Sequence, residues 1–155
     1  MFVEIDWWFL YNGEVMDIKL ATTQAEFFAL VQLRKDVFVN EQSVDVNLEM
    51  DKEDLTAWHF IAVENGEVIA TCRLVVHHRQ GKLGRFAVAA PYRHRAIGSQ
   101  LINFVEEQAK SSGLTEIILG AQTHAIDFYL ANGYSVCSDV FDDAGIPHKM
   151  MNKKL

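Results

Sequence analysis

Hydrophobic and polar positions repeat with two different periods along this chain. FVEIDWWFL and EVMDIKLA are strand-like runs on either side of Asn12-Gly13, a pair that tolerates the positive φ of a two-residue hairpin turn. TTQAEFFALVQLRKDVFV changes to helical spacing. Phe27, Leu30, Val31 and Val37-Phe38 recur there on one face, with Thr22 or Thr23 placed to cap it. An irregular acidic stretch, EQSVDVNLEMDKEDLT, precedes WHFIAVE. Asn65-Gly66 turns WHFIAVE into EVIATCRLVVHH, and RQGK turns that run into LGRFAVAA. Three antiparallel strands in sequence make a meander.

Pro91 ends the third of them. From His94 to Ser112 a helix is predicted, with Ile97, Leu101, Ile102, Val105 and Ala109 on one face and Gly113 as its C-cap. TEIILGA reads as a short apolar strand and THAIDFYLANG as a short helix ended by Gly133. YSVCSDVF, the turn DDAGIP and HKMMNKKL read as a last hairpin. The order β-β-α-β-β-β-α-β-α-β-β predicts an α+β protein, a mixed sheet with helices on its faces.

Composition narrows the classes. At 155 residues, half of them hydrophobic, one domain spanning 1–155 with a full core is expected. A net charge of -7 repels nucleic-acid phosphates and suits a neutral or cationic partner better. Cys72 and Cys137 each lie in an apolar strand-like run without metal-ligand spacing, so buried free thiols in a reducing compartment are expected. The first residues lack a basic segment and carry Glu4 and Asp6, and no run reaches the ~18 apolar residues of a membrane span. A soluble cytoplasmic protein is expected. His77 and His78 point to opposite faces of a strand, so no metal site is expected there.

Against this acidic background, YRHRAIGSQL gathers Arg93, His94 and Arg95 where a helix begins, with Arg85 on the preceding strand. A helix N-terminus exposes unpaired N–H groups and about half a positive charge. Gly98 lets an anion approach the backbone closely, and a diphosphate matches best. The competing reading is a solvated helix start whose arginines pair with carboxylates. GxxxxGK(S/T) and GxGxxG are both absent.

These residues, with their neighbours, resemble the GNAT acyltransferase superfamily. Its acetyl-CoA motif, (Q/R)-x-x-G-x-(G/A), reads here Arg93-His94-Arg95-Ala96-Ile97-Gly98. Ala96 stands in place of glycine, a change that a helical φ would tolerate. The later signature A-x-x-F-Y-x-x-x-G-Y appears as Ala125, Phe128, Tyr129, Gly133 and Tyr134. RKDVFVNEQ, LGAQTHAIDFY and DDAGIPHKMM are similar to the ElaA-like branch, and the resemblance runs roughly from residue 18 to 152. The first strand, residues 2–10, is extra to the family pattern and reads as an edge strand or a dimer contact.

The resemblance implies a mixed, mostly antiparallel GNAT sheet with helices on both faces. It implies a bulged strand, 84–89, splayed from the parallel strand 115–120. A pantetheine arm would lie in the gap against the backbone of Phe86, Ala87 and Val88, with an N–H near Val88 polarising the thioester carbonyl. Arg93, His94, Arg95, Ala96, Ile97, Gly98 and Ser99 would form the pyrophosphate site, and His124 and Phe128 further cofactor contacts. Acetyl-CoA would be the donor and a small-molecule or peptide primary amine the acceptor, by direct attack in a ternary complex. Tyr129 sits where the family places the acid. The base stays open among Glu41, Glu49, Asp51, Asp54, His59 and His124, with Glu41 and His59 carried forward. Arg34, Phe38, Gln42 and His148 are the expected acceptor contacts, and the surplus of acid near them is expected to steer a cationic amine. A homodimer is allowed. Three other readings stand beside this one. They are a non-catalytic CoA-binding sensor or interaction module, an enzyme like the acyl-homoserine lactone synthases (from Arg34 to Phe38 with Glu49, Asp51 and Asp54), and a nucleic-acid binder using Arg85 to Arg95.

Overall fold

The computed structural model of the protein describes residues 15–155. The strand expected over residues 2–10 and the Asn12-Gly13 turn lie outside the described residues. Strand β1 (Met16–Leu20) leads to helix α1 (Gln24–Arg34). Thr23 caps α1 reciprocally. Its Oγ1 accepts the Glu26 N–H at 3.2 Å, and the Glu26 carboxylate accepts the Thr23 N–H at 3.1 Å. The chain then widens into a π-helical segment, Lys35–Glu41, before a short helix α2 (Val46–Glu49) and a 3₁₀ turn, Lys52–Leu55.

The meander follows as predicted: β2 (Trp58–Glu64), β3 (Glu67–His77) and β4 (Gln80–Val88). Asn65 and Gly66 take φ of 51° and 79°, the positive pair that a tight hairpin turn requires. Helix α3 (Ile97–Ser111), β5 (Glu116–Gln122), α4 (Ile126–Ala131), β6 (Ser135–Val136), β7 (Phe141–Asp143) and β8 (Ile146–Lys154) complete the described chain. The sheet runs β1-β2-β3-β4-β5-β8-β6, with β7 also paired to β8, and only β4 and β5 are parallel among the described strands.

Alternation along β2 and β3 divides the core between two faces. Phe60, Ala62, Ala70, Cys72 and Leu74 pack under α3, against Leu101, Ile102, Val105 and Ala109. Leu33 and Val37 pack on the opposite face against Ala87 and Val68. Three expectations change. The helix begins at Ile97 rather than His94, because His94 and Ala96 both hold a positive φ. YSVCSDVF is broken into two short strands, so Cys137 is exposed rather than buried. Cys72 is buried as expected, and burial pushes its thiol pKa well up. Among the described residues no helix is long and apolar enough to cross a membrane.

The feature that makes room for a site lies in the middle of the sheet. β4 and β5 pair from Gln80 with Glu116 to Leu83 with Leu119, and then separate. Just beyond, β4 carries an extra residue relative to β3. Thr71 faces Ala87 while Arg73 faces Gly84, and Arg85 adopts φ 51° within this bulge.

Candidate functional site

Past Leu83 and Leu119 the two strands leave a groove of about 1020 Å³ that reaches both faces of the sheet. Its β4 wall is backbone. Ala89 N–H donates to Ile69 O at 2.8 Å, so alternation turns Ala87 towards β3 as well. Val88 and Phe86 therefore present their N–H and C=O groups to the gap. Arg93 confirms the direction, donating from Nε to Val88 O at 2.9 Å.

The mouth of the groove is the N-terminus of α3. No side chain caps it, so the first amides of the helix are left for another acceptor. Gly98 is there for space: a Cβ would come within 3.2 Å of the Phe128 ring and 3.5 Å of Phe86. Ala96, by contrast, is left-handed (φ 57°, ψ 14°) rather than helical. This corrects the expectation that alanine is at ease there. A left-handed conformation costs a non-glycine residue about 1–2 kcal/mol, and glycine's greater freedom when unfolded takes back roughly 0.5–1 kcal/mol. Ala96→Gly is therefore expected to stabilise the protein by about 0.5–1 kcal/mol, read as a higher denaturant midpoint at unchanged slope.

The arginines of the basic cluster pair with protein acceptors. Arg93 reaches Glu41 at 2.9 Å and 3.1 Å, and Arg95 reaches the buried Glu64 at 2.7 Å while its guanidinium lies over the Tyr92 ring. Arg85 donates to Glu49 O at 2.9 Å and Leu48 O at 3.1 Å. Pairing with protein acceptors is thus what these side chains do, and the free amides of α3 are what the groove offers an anion. Arg93, His94, Ala96, Ile97, Gly98 and Ser99 line the groove, and the Arg95 side chain does not.

The acidic stretch is likewise neutralised from within. Arg34 is buried at 1% exposure, with Nε on Glu49 and Nη1 on Asp54 at 2.7 Å. Arg73 meets Asp51 at 2.7 Å, Asp54 at 3.0 Å and Glu53 at 3.1 Å. Arg34 is therefore an interior ion pair instead of an acceptor contact, and much of the expected negative field is cancelled by Arg34, Arg73 and Arg85. His59 also lies off the groove. Its Nε2 is 3.0 Å from Asp54 O and its ring meets Phe27 edge-on. Burial lowers its pKa and keeps it neutral, but a base has to reach the acceptor, and His59 does not line the groove.

The groove does bring together Phe38, Glu41, Gln42, Phe86, Ala87, Val88, His124, Phe128, Tyr129 and His148. Tyr129 is held edge-on by Phe86, Phe128 and Tyr134, and its hydroxyl makes no hydrogen bond with the described residues. Burial pushes its phenol well above the usual tyrosine range. Gln42 and Gln122 exchange amide hydrogen bonds of 2.8 Å and 3.2 Å. Gln122, Phe141 and Gly120 were not anticipated. Gly120 had a signal, a glycine inside an apolar strand, which marks a close approach. A Cβ there would lie 3.6 Å from Phe141 and 3.8 Å from His148.

A model of the acetyltransferase (GNAT) family matches residues 24–134. The chain belongs to that family. YyaT of Bacillus subtilis (strain 168) is 33% identical over 143 residues, covering 90% of this chain and 97% of that protein. ElaA of Escherichia coli (strain K12) is 29% identical over 157 residues, covering 97% of each. The crystal structure of E. coli ElaA superposes with a TM-score of 0.82 at 27% identity, over 90% of this chain and 99% of that one. An acyl-CoA N-acyltransferase from Pseudomonas aeruginosa superposes with 0.80 at 30% identity, over 90% and 99%. The PaiA N-acetyltransferase of Thermoplasma acidophilum, solved with coenzyme A, shares the fold at 18% identity, with a TM-score of 0.73 over 91% and 99%. The chain is a GNAT protein of the ElaA-like branch, with the α+β layered fold of that group.

Proposed function

We propose that this GNAT protein is an N-acetyltransferase, carrying an acetyl group from acetyl-CoA to a primary amine by direct attack in a ternary complex. The observation that carries this reading is the groove where β4 and β5 part, in front of the uncapped N-terminus of α3. The residues present fit the donor. Amides of Ile97, Gly98 and Ser99 would hold the pyrophosphate, and the backbone N–H and C=O of Phe86 with the N–H of Val88 would pair with the pantetheine amides. Bound there, the donor supplies an activated acyl group and a thiol leaving group.

With the pyrophosphate end fixed at α3, the thioester end lies further back along β4, towards the point where pairing stops. Of the two N–H groups facing the gap, Phe86 is nearer that point than Val88. Phe86 therefore takes over the expected role of polarising the carbonyl. Tyr129, in edge contact with Phe86, is placed to give the sulfur its proton, and its raised pKa keeps that proton on the phenol at neutral pH.

The first test is thermal unfolding with acetyl-CoA and dephospho-CoA, followed by product detection over a panel of amines. A ligand that binds only the folded state at 100 times its Kd adds roughly 2.7 kcal/mol, a shift of several degrees. A shift with acetyl-CoA and acetylation of a primary amine are expected. No shift at millimolar ligand removes the reading. A shift without turnover on any amine would make the protein a non-catalytic CoA-binding module.

A further inference from the structure

The groove holds an acid on one face of the sheet and an unassigned nitrogen on the other. His148, on β8, is 8% exposed and lines the groove. Its Nδ1 lies 2.7 Å from Ile146 O. A carbonyl oxygen can only accept, so Nδ1 carries the hydrogen, and in the neutral ring Nε2 is left as a bare acceptor. Nε2 makes no hydrogen bond with the described residues. The ring is also fixed in plane, stacked on Phe141 with centroids 5.8 Å apart.

Its place relative to the split follows from β5. Leu119 and Ala121 turn to the α3 face with the core that includes Tyr129. Gly120 and Gln122 turn to the opposite face. There a Cβ on Gly120 would lie 3.8 Å from the His148 ring, and Gln122 pairs with Gln42 of the π-helical segment. Gly120 is the first residue of β5 after pairing with β4 stops. His148 thus stands at the start of the split, across the sheet from Tyr129, with the gap between them.

We infer that His148 is the general base of the transfer reaction, taking through Nε2 the proton that the attacking amine must lose. This rests on the acetyltransferase reading above. The amine nitrogen bonds to the carbonyl carbon and the carbon–sulfur bond breaks. The alkylammonium loses two protons: one goes to Nε2 before attack, and the second leaves the nitrogen to water as the amide forms. The sulfur takes one from the Tyr129 hydroxyl, and Nε2 and the Tyr129 oxygen exchange with water before the next turnover. The other titratable groups around the groove do not compete for this role. Glu41 is held by Arg93, and Glu49, Asp51 and Glu53 are held by Arg85 or Arg73. Asp143 on β7, His124 after β5 and His94 before α3 also line the groove, but no hydrogen bond among the described residues orients their side chains as Ile146 O orients His148.

The test is His148→Gln, compared with wild type on the best primary alkylamine found and on methoxyamine, which is already neutral at pH 7. With the alkylamine at pH 7, kcat is expected to fall about a hundredfold or more. The acid limb of the pH–rate profile should move up towards the pKa of the amine itself, and added imidazole should restore part of the rate. With methoxyamine the loss should be several-fold at most, and the acetyl-CoA thermal shift should persist. Equal losses on both acceptors, or loss of the acetyl-CoA shift, would assign the residue to structure and overturn the inference. So would a variant whose rate and pH profile match wild type. If the wild type itself transfers to no amine, the enzymatic reading fails and this inference falls with it.

Discussion

Tyr129→Phe is expected to fold normally, bind acetyl-CoA normally and acetylate amines about a hundredfold more slowly at pH 7. The ring would keep its three edge contacts, with Phe86, Phe128 and Tyr134 at centroid distances of 6.3, 5.0 and 5.9 Å. The hydroxyl makes no hydrogen bond with the described residues, so removing it leaves no partner stranded and costs little stability. Its pKa is raised, chiefly by burial, so wild-type Tyr129 keeps its proton at neutral pH, as the proposed acid must. The leaving thiol has an unperturbed pKa near 8.5, so it can depart partly unaided, and the loss belongs at the lower end of general-acid effects. Because the interaction forms only as sulfur gains charge, kcat and kcat/KM should fall together with KM unchanged. Steady-state kinetics beside a thermal-shift titration check both halves. A rate within threefold of wild type would make Tyr129 a packing residue.

Arg34→Met is expected to cost about 3–5 kcal/mol of stability, or roughly 10 °C in midpoint. Methionine keeps the length of the stem but leaves Glu49 and Asp54, both buried, without their main cation. Burial alone would raise the Asp54 carboxyl. The Arg34 hydrogen bond, the Asp51 backbone amide and Arg73 outweigh it and hold that carboxyl well below the usual range. A depressed folded pKa contributes stability that is complete above the unfolded value, near 3.9, and is lost as pH falls through the folded one. The gap between wild type and variant should therefore be widest at neutral pH and narrow below about pH 4. Urea unfolding at several pH values measures this. A gap that stays constant with pH would mean the cost lies in packing.

Local signals in the sequence were dependable where a few neighbouring residues decide the outcome. The Thr23–Glu26 capping box and the positive φ pair at Asn65-Gly66 formed where their residue types predict them. So did the apolar stripe of α3. Charge was poorly legible, because its partners are remote. Arg34 finds Glu49 and Asp54 at 15 and 20 positions away, and Arg93 finds Glu41 at 52. Nothing in YRHRAIGSQL tells which of its cations meet a carboxylate and which face a ligand. Ala96 was misread for a different reason: the backbone reverses hand one residue before the helix starts, and alanine gives no hint of it. The role inferred for His148 depends on a carbonyl two residues back and on Phe141 stacking from the neighbouring strand.

The parting of β4 and β5 also creates an edge in the interior of a sheet. Edges recruit foreign strands and seed aggregation, and they are ordinarily blunted by charge, bulges or a covering loop. Here the blunting is local. The Arg85 bulge breaks the regular repeat of donors and acceptors along β4, and Arg93 occupies the Val88 carbonyl. The Gln42–Gln122 amide pair stands beside the opening. The bulge and the Arg93 contact thus defend an otherwise adhesive seam.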